Sequence, residues 1–192
     1  MTKTTIALID HNDSFTFNVV EVYRKMDFVE LTVIPYTDLQ LEILIKFDKI
    51  ILSPGPSLPS DYPKTFQVIE KFYKTKPILG ICLGHQAICS FFGAELFCIN
   101  DVVHGEDKQI QIDTAQAIFN NITEFTEVGL YHSWAVSQRF FSDNLTIIAE
   151  TAEKMIMSVK HKKFPVYGFQ FHPESFLTVD GFKMLENFAK LL

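Results

Sequence analysis

Cys82 stands between two glycines in Gly80-Ile81-Cys82-Leu83-Gly84, after the short apolar run that Pro77 opens. The segment lies between a predicted strand and a predicted helix. Gly-x-Cys-x-Gly there has the form of a nucleophile elbow, with a thiol where hydrolases carry a hydroxyl. Such a turn is strained and needs small neighbours. It lifts the side chain clear of the sheet's carboxyl edge. The helix that follows directs its positive end at the sulfur, which favours the reactive thiolate. The N–H of Leu83 would face an oxyanion forming beside that sulfur. The competing reading is a structural cysteine in a glycine-bracketed turn. Cys89 and Cys98 lack this setting and read as packing residues.

A thiol nucleophile needs a base, and the base needs an orienting group. Of six histidines, His172 is distinct: it closes the apolar run Val166–Phe171 and precedes Pro173-Glu174. Proline favours extended geometry in the residue before it, and extended residues two apart share a face. His172 and Glu174 are therefore expected on one face, at the same sheet edge as Cys82, where open α/β sheets build sites. A surface histidine near a carboxylate is the alternative. His11 and His104 fall in turns, His85 lies inside the elbow, and His132 adjoins Ser133 and Trp134. A third segment, Ser53-Pro54-Gly55-Pro56-Ser57, also follows a strand. Its prolines hold the backbone rigidly, so the Gly55 N–H can be aimed at a ligand; a plain rigid loop competes with that reading.

The elements that must position these residues alternate in the first half of the chain. Strands are expected at Thr4–Ile9, Val29–Tyr36, Lys49–Leu52 and Ile78–Ile81. Helices are expected at Ser14–Met26 (capped by Asp13 or Ser14), Tyr62–Tyr73 and Gly84–Phe92, with a short helical pattern at Leu39–Lys46. The alternation means βαβ units and a parallel sheet. The second half carries short strand candidates: Ala94–Ile99, Gln109–Ile112, Glu127–Tyr131, Ser133–Val136, Thr146–Ala149, Met155–Val159 and Val166–Phe171. So many short pieces suggest an antiparallel extension. A final helix, Asp180–Leu191, is expected to bury Phe182, Leu185, Phe188 and Ala189. The fold class is thus α/β: an open, mostly parallel twisted sheet with helices on both faces and a small antiparallel extension, in a single domain over 1–192.

Composition removes several function classes. The 192 residues are 47% hydrophobic and 21% charged with a net charge of −6, so one sizeable core is expected and nucleic acid is not the expected partner. Lys160-His161-Lys162-Lys163 reads as a surface turn. No apolar stretch approaches the ~20 residues that span a bilayer, and the N-terminal run is too short for a secretory signal. Three cysteines make no disulfide framework, so a reducing cytoplasm fits. The two Asn-x-Thr sequons are then irrelevant. Neither Cys-x-x-Cys spacing nor a phosphate-binding glycine pattern occurs, and no metal is expected in this chain.

In order along the chain stand LSPGPS, GICLGHQAI, YHS and GFQFHPES. Together they closely resemble the class I, triad-type glutamine amidotransferases, from about Ile6 to the last helix. The opening IDHNDSFTFNVV is similar to that of the subunits serving chorismate-using synthases, anthranilate synthase component II and the aminodeoxychorismate synthase glutaminase. The resemblance implies glutamine hydrolysis by Cys82, with His172 moving protons and Glu174 holding it. The N–H groups of Leu83 and Gly55 would form the oxyanion hole. Gly55, Pro56, Ser57, Gln86, Ser133 and Trp134 would bind glutamine. It further implies a separate chorismate-binding partner subunit, which would carry Mg²⁺. The tryptophan branch is the first expectation and the folate branch the alternative. A stand-alone γ-glutamyl hydrolase would keep the triad, and a scaffold subunit would discard it.

Four departures stand out. Ser57 replaces the usual glycine, and Trp134 a smaller apolar residue. Glu106-Asp107 reverses the charge of a segment that faces the partner in the family. His11-Asn12 replaces a more common pair in a turn expected to lie away from the chemistry.

Overall fold

The computed structural model describes residues 2–191, and for residues 100–104 the backbone alone. A single nine-stranded sheet runs through it in the order β2-β1-β3-β4-β9-β8-β7-β5-β6. The strands are β1 Thr4–Asp10, β2 Val29–Pro35, β3 Lys49–Leu52, β4 Ile78–Ile81, β5 Leu96–Ile112, β6 Phe125–Val136, β7 Leu145–Thr151, β8 Ile156–His161 and β9 Val166–Phe169. The first five in spatial order pair in parallel; β9–β8, β8–β7, β7–β5 and β5–β6 are antiparallel. The α/β expectation holds, and the antiparallel extension amounts to four strands.

The parallel half is covered on both faces, as parallel sheets require. Side chains alternate across the strands. Ile6, Leu8, Ile51, Leu79 and Ile81 pack on one side with Val19 and Tyr23 of helix α1 (Thr16–Arg24) and with Met184, Leu185 and Phe188 of helix α4 (Gly181–Lys190). Ala7, Ile9, Ile50, Leu52 and Ile78 pack on the other, with Val68, Ile69 and Phe72 of helix α2 (Pro63–Phe72) and Ala87 and Ile88 of helix α3 (Leu83–Phe91). Helix α3 stops at Gly93, whose φ of +94° is a left-handed conformation that glycine adopts without strain. Among the described residues no helix is long and apolar enough to cross a membrane.

Three expectations change. The separate pieces Ala94–Ile99 and Gln109–Ile112 belong to one long strand, β5, and Glu127–Tyr131 and Ser133–Val136 to one strand, β6. Their pairing absorbs register shifts at Cys98/Val103 and His104/Glu106, with Gly105 at φ +74°. Polar residues that look like a turn are carried through by ladder pairing at these bulges. Leu41–Lys46 is 3₁₀ helix and buries only Leu44. Phe182 is 44% exposed; the buried stripe of α4 runs through Met184, Leu185, Phe188 and Ala189, and Phe182 stands at its rim.

Candidate active site

Cys82 lies between β4 and α3 with φ 49° and ψ −100°, a conformation that few side-chain-bearing residues adopt. The chain around it holds that geometry. The Cys82 N–H donates to the Phe169 carbonyl at 2.7 Å, and its carbonyl accepts the Gln86 N–H at 3.0 Å. A methyl group on Gly80 would lie 2.3 Å from the Gly84 backbone, and one on Gly84 would lie 2.4 Å from the Leu52 carbonyl oxygen. Both glycines are therefore required by close backbone approach. Leu83 is the first residue of α3, so its N–H has no acceptor within the helix. The three cysteines are unpaired; Cys89 is buried, which pushes its thiol pKa up, and Cys98 is exposed.

His172 and Glu174 meet as expected but by a different route. β9 ends at Phe169, and His172-Pro173-Glu174-Ser175 is a turn, closed by a 3.1 Å hydrogen bond from the Ser175 N–H to the His172 carbonyl. Proline suits the second position of such a turn, and that preference prevails over extended geometry. His172 Nδ1 donates to Glu174 Oε1 at 2.7 Å, and both side chains are almost fully buried. The ring is held by Phe15 and Tyr131, with centroids 4.8 and 5.1 Å away. Its Nε2 is buried and has no hydrogen-bond partner among the described residues. Burial disfavours the imidazolium, but the Glu174 carboxylate and the neighbouring Cys82 outweigh it. The His172 pKa consequently stands well above the ordinary histidine value.

The turn is clamped from two sides. Thr178 Oγ1 donates to the His172 carbonyl at 2.6 Å and accepts the Gly129 N–H at 2.9 Å, which ties the turn to β6. Gly181 opens α4 so close beneath it that a methyl group there would lie 1.8 Å from the Pro173 carbonyl oxygen.

Asp13, Gly55, Pro56, Ser57, Cys82, Gln86, Tyr131, His132, Ser133 and Trp134 line one pocket of about 250 Å³. The structure thus brings the elbow, the proline loop and β6 together; His172 lies buried beside Cys82 and outside that lining. Gly55 abuts Leu83, since a methyl group on it would lie 2.4 Å from Leu83 Cδ2, so the two residues expected to supply the oxyanion donors are neighbours. Ser57 has φ 66°. A left-handed residue other than glycine costs roughly 1 kcal/mol, so Ser57 is strained where the resemblance implies a glycine.

His11 is not remote from this site. It is 1% exposed and sits beneath the Gly55 loop, with Nδ1 3.1 Å from Ser53 Oγ and Nε2 2.8 Å from Thr65 Oγ1. Ser53 Oγ donates to the Pro54 carbonyl, so it accepts from Nδ1–H, and Nε2 accepts from Thr65. The ring is neutral, and burial lowers its pKa to about 4. Asp13 does not cap α1 directly; it stands two residues before the N-cap, Phe15, whose N–H its Oδ1 accepts at 2.8 Å. Glu106 and Asp107 are exposed on β5 opposite Leu130 and Gly129, and the His104 side chain lies outside the described residues.

Sequence reasoning missed Gln170 and His132. Gln170 is fully buried, with Nε2 3.8 Å from Cys82 Sγ. His132 Nδ1 lies 3.0 Å from the Trp134 carbonyl, and burial lowers the His132 pKa to about 4. The signal for Gln170 was present: one amide in the apolar run Val166–Phe171, where a buried polar group needs a partner.

A strained cysteine beside a buried histidine–carboxylate pair, at the carboxyl edge of a parallel sheet, has the geometry that thiol-dependent acyl transfer requires. The family model for "Glutamine amidotransferase class-I" matches residues 7–192, and the chain belongs to that family. It is 38% identical over 186 residues to anthranilate synthase component 2 of Lactococcus lactis, covering 96% of this chain and 93% of that one. It is 36% identical over 185 residues to aminodeoxychorismate synthase component 2 of Klebsiella aerogenes, covering 95% and 98%. A solved Thermotoga maritima glutamine amidotransferase shares the fold, with TM-score 0.76 at 18% identity over 91% of this chain and 77% of that one.

Proposed function

We propose that the chain is the glutaminase subunit of a chorismate-using synthase, anthranilate synthase first, and that Cys82, His172 and Glu174 carry the reaction. One observation supports this most strongly. An elbow cysteine and a buried His172–Glu174 pair flank a pocket whose other walls are the Gly55–Ser57 loop and Ser133-Trp134.

In this reading the Cys82 sulfur attacks the side-chain amide carbon of L-glutamine. The oxyanion forms between the Leu83 and Gly55 N–H groups. The raised basicity of His172 lets it hold the proton that it then gives to the departing nitrogen, releasing ammonia as the C–N bond breaks. The remaining thioester is cleaved by a water whose proton His172 accepts, which releases glutamate and restores the thiol. Glu174 keeps Nδ1 protonated and stabilises the imidazolium, as the third member of a triad does. The amino-acid end of glutamine, a zwitterion, is held by the Gly55-Pro56-Ser57 loop, Gln86, Ser133 and Trp134. Ammonia passes to a separate chorismate-binding subunit, which carries the Mg²⁺; the glutaminase chemistry runs on protein groups in a reducing cytoplasm.

The test is product identity. This chain is mixed with the chorismate-binding subunit of an anthranilate synthase, chorismate, Mg²⁺ and glutamine as sole nitrogen source. Anthranilate fluorescence that depends on this chain is the expected result. If that subunit works on ammonia but gains nothing from this chain with glutamine, the tryptophan pairing is wrong. The aminodeoxychorismate partner is then tested; relatives carry that name too.

A further inference from the structure

We infer that Gln170 is a positioning residue for the nucleophile: a polar relay fixes its amide so that an N–H, and not the carbonyl oxygen, faces the Cys82 sulfur. The inference rests on Cys82 being the nucleophile, as proposed above.

The relay begins at the Trp134 carbonyl, which can only accept. Gln86 Nε2 donates to it at 2.9 Å, and His132 Nδ1 donates to it at 3.0 Å. This sets which end of the Gln86 amide points inward. The second hydrogen on Gln86 Nε2 is directed to Gln170 Oε1 at 3.3 Å. Gln170 is thereby turned so that its own Nε2 lies 3.8 Å from Cys82 Sγ. Reversing either amide would oppose two donors or two acceptors in a site where both side chains are buried, which is costly. The polarity of the whole line is therefore dictated from the β6 side of the pocket and ends in a donor at the sulfur.

A donor there acts on the anion more than on the thiol, because hydrogen bonds to charged partners are the stronger ones. Gln170 is not placed to transfer a proton: a neutral amide does not titrate in this range. Its backbone is anchored independently, with the Gln170 N–H donating to the Met157 carbonyl at 2.9 Å, so the side chain is not needed to hold the strand end. The consequence is that the sulfur's reactivity is set by three groups: the start of α3, His172, and an amide whose orientation is decided on the far wall of the pocket.

The experiment is iodoacetamide labelling of the free full-length chain as a function of pH, read cysteine by cysteine by peptide mass. Cys98 is exposed and serves as an internal reference, while buried Cys89 stays unlabelled as long as the chain is folded. Gln170→Met keeps the volume and removes the donor. Its Cys82 labelling at neutral pH is expected to fall about tenfold, the low end for loss of a hydrogen bond to a charged group. The midpoint of its rate–pH curve is expected to rise by about one unit, with Cys98 unchanged. Gln170→Glu, which presents a carboxylate instead, is expected to lose at least as much. A wild-type rate and midpoint in Gln170→Met, with Cys89 still protected, overturn the inference and leave Gln170 a packing residue. Labelling of Cys89 in that variant would report misfolding, and Gln170→Asn then takes its place with the same criterion. Wild-type Cys82 reacting no faster than Cys98 would be a different failure, that of the nucleophile assignment itself.

Discussion

Strands β3, β4 and β9 are buried at every position, whereas β6 is exposed at Phe125 and Glu127 and partly accessible at Tyr131, Ser133 and Trp134. The groups proposed to react or to position the reaction follow the first kind of strand: Gly55 after β3, Cys82 after β4, Gln170 and His172 after β9. The pocket's outer wall comes from the second kind. Covered parallel strands share one register and cannot shift singly, so groups that need sub-ångström placement sit at their ends. A half-exposed antiparallel strand tolerates bulges and changes of side chain, and its contribution at Ser133-Trp134 leans on backbone held by Gln86 and His132. On the proposed function, placement of the chemistry and selection of the ligand are built on backbone of different rigidity.

Substitutions can break this division. The largest effect is expected at the edge of the parallel half: Cys82→Ser should cut glutamine-dependent synthesis by roughly 10⁴-fold or more while sparing ammonia-dependent synthesis by the complex. Retained glutamine use would refute the nucleophile assignment. Next, Gly84→Ala forces a methyl group into the Leu52 backbone and should cost about 2–4 kcal/mol in urea unfolding. A stability change within experimental error would show that this edge can yield after all. Gly181→Ala presses on Pro173 from below. It should lower kcat about tenfold and leave KM for glutamine nearly constant, because the His172–Glu174 turn moves and the pocket does not. A rise in KM alone would contradict that separation.

Acid provides a gentler probe. His11, His85 and His132 have pKa values lowered by burial to about 4, 3 and 4. The unfolded chain binds protons there that the folded chain refuses, so stability is complete above the ordinary histidine pKa near 6.5 and falls as pH drops toward 4. Each group should cost at most about 1.4 kcal/mol over the first full unit below that point. Urea midpoints measured at pH 6.5 and 5.5 should differ, and less so in His11→Gln; equal midpoints would mean these rings are already charged. The smallest effect is expected on the outer wall: Trp134→Leu should change KM for glutamine severalfold and leave Cys82 labelling as it was. A changed labelling rate would show that the wall's side chains, and not only its carbonyl, reach the sulfur.

The parallel half was almost fully legible in the sequence because each of its devices is local. Pro77 before an apolar run, glycines on both sides of Cys82, and a loop of alternating prolines each have one conformational meaning. The His172–Glu174 contact was legible, yet its geometry was misjudged: proline favours both an extended predecessor and a turn, and only the contact with α4 and β6 decides between them. The antiparallel half was read as fragments. The register shifts in β5 are produced by pairing with residues of β6 that lie 24 to 36 positions further on, and nothing in the local residue types announces them. Gln170, His132 and the role of His11 were missed for a related reason. Each is a buried polar residue whose partner lies on another element, and the identity of that partner is a fact of tertiary structure.

The left-handed backbone at Cys82 acts as a filter on what this scaffold could become. At φ 49° an unbranched side chain with one heavy atom on Cβ fits, so exchanging sulfur for oxygen changes a single atom and leaves the turn intact. A threonine would add a second substituent on Cβ where branched residues are sterically excluded, despite its hydroxyl. The turn therefore admits a serine side chain at the cost of one substitution and closes off a threonine.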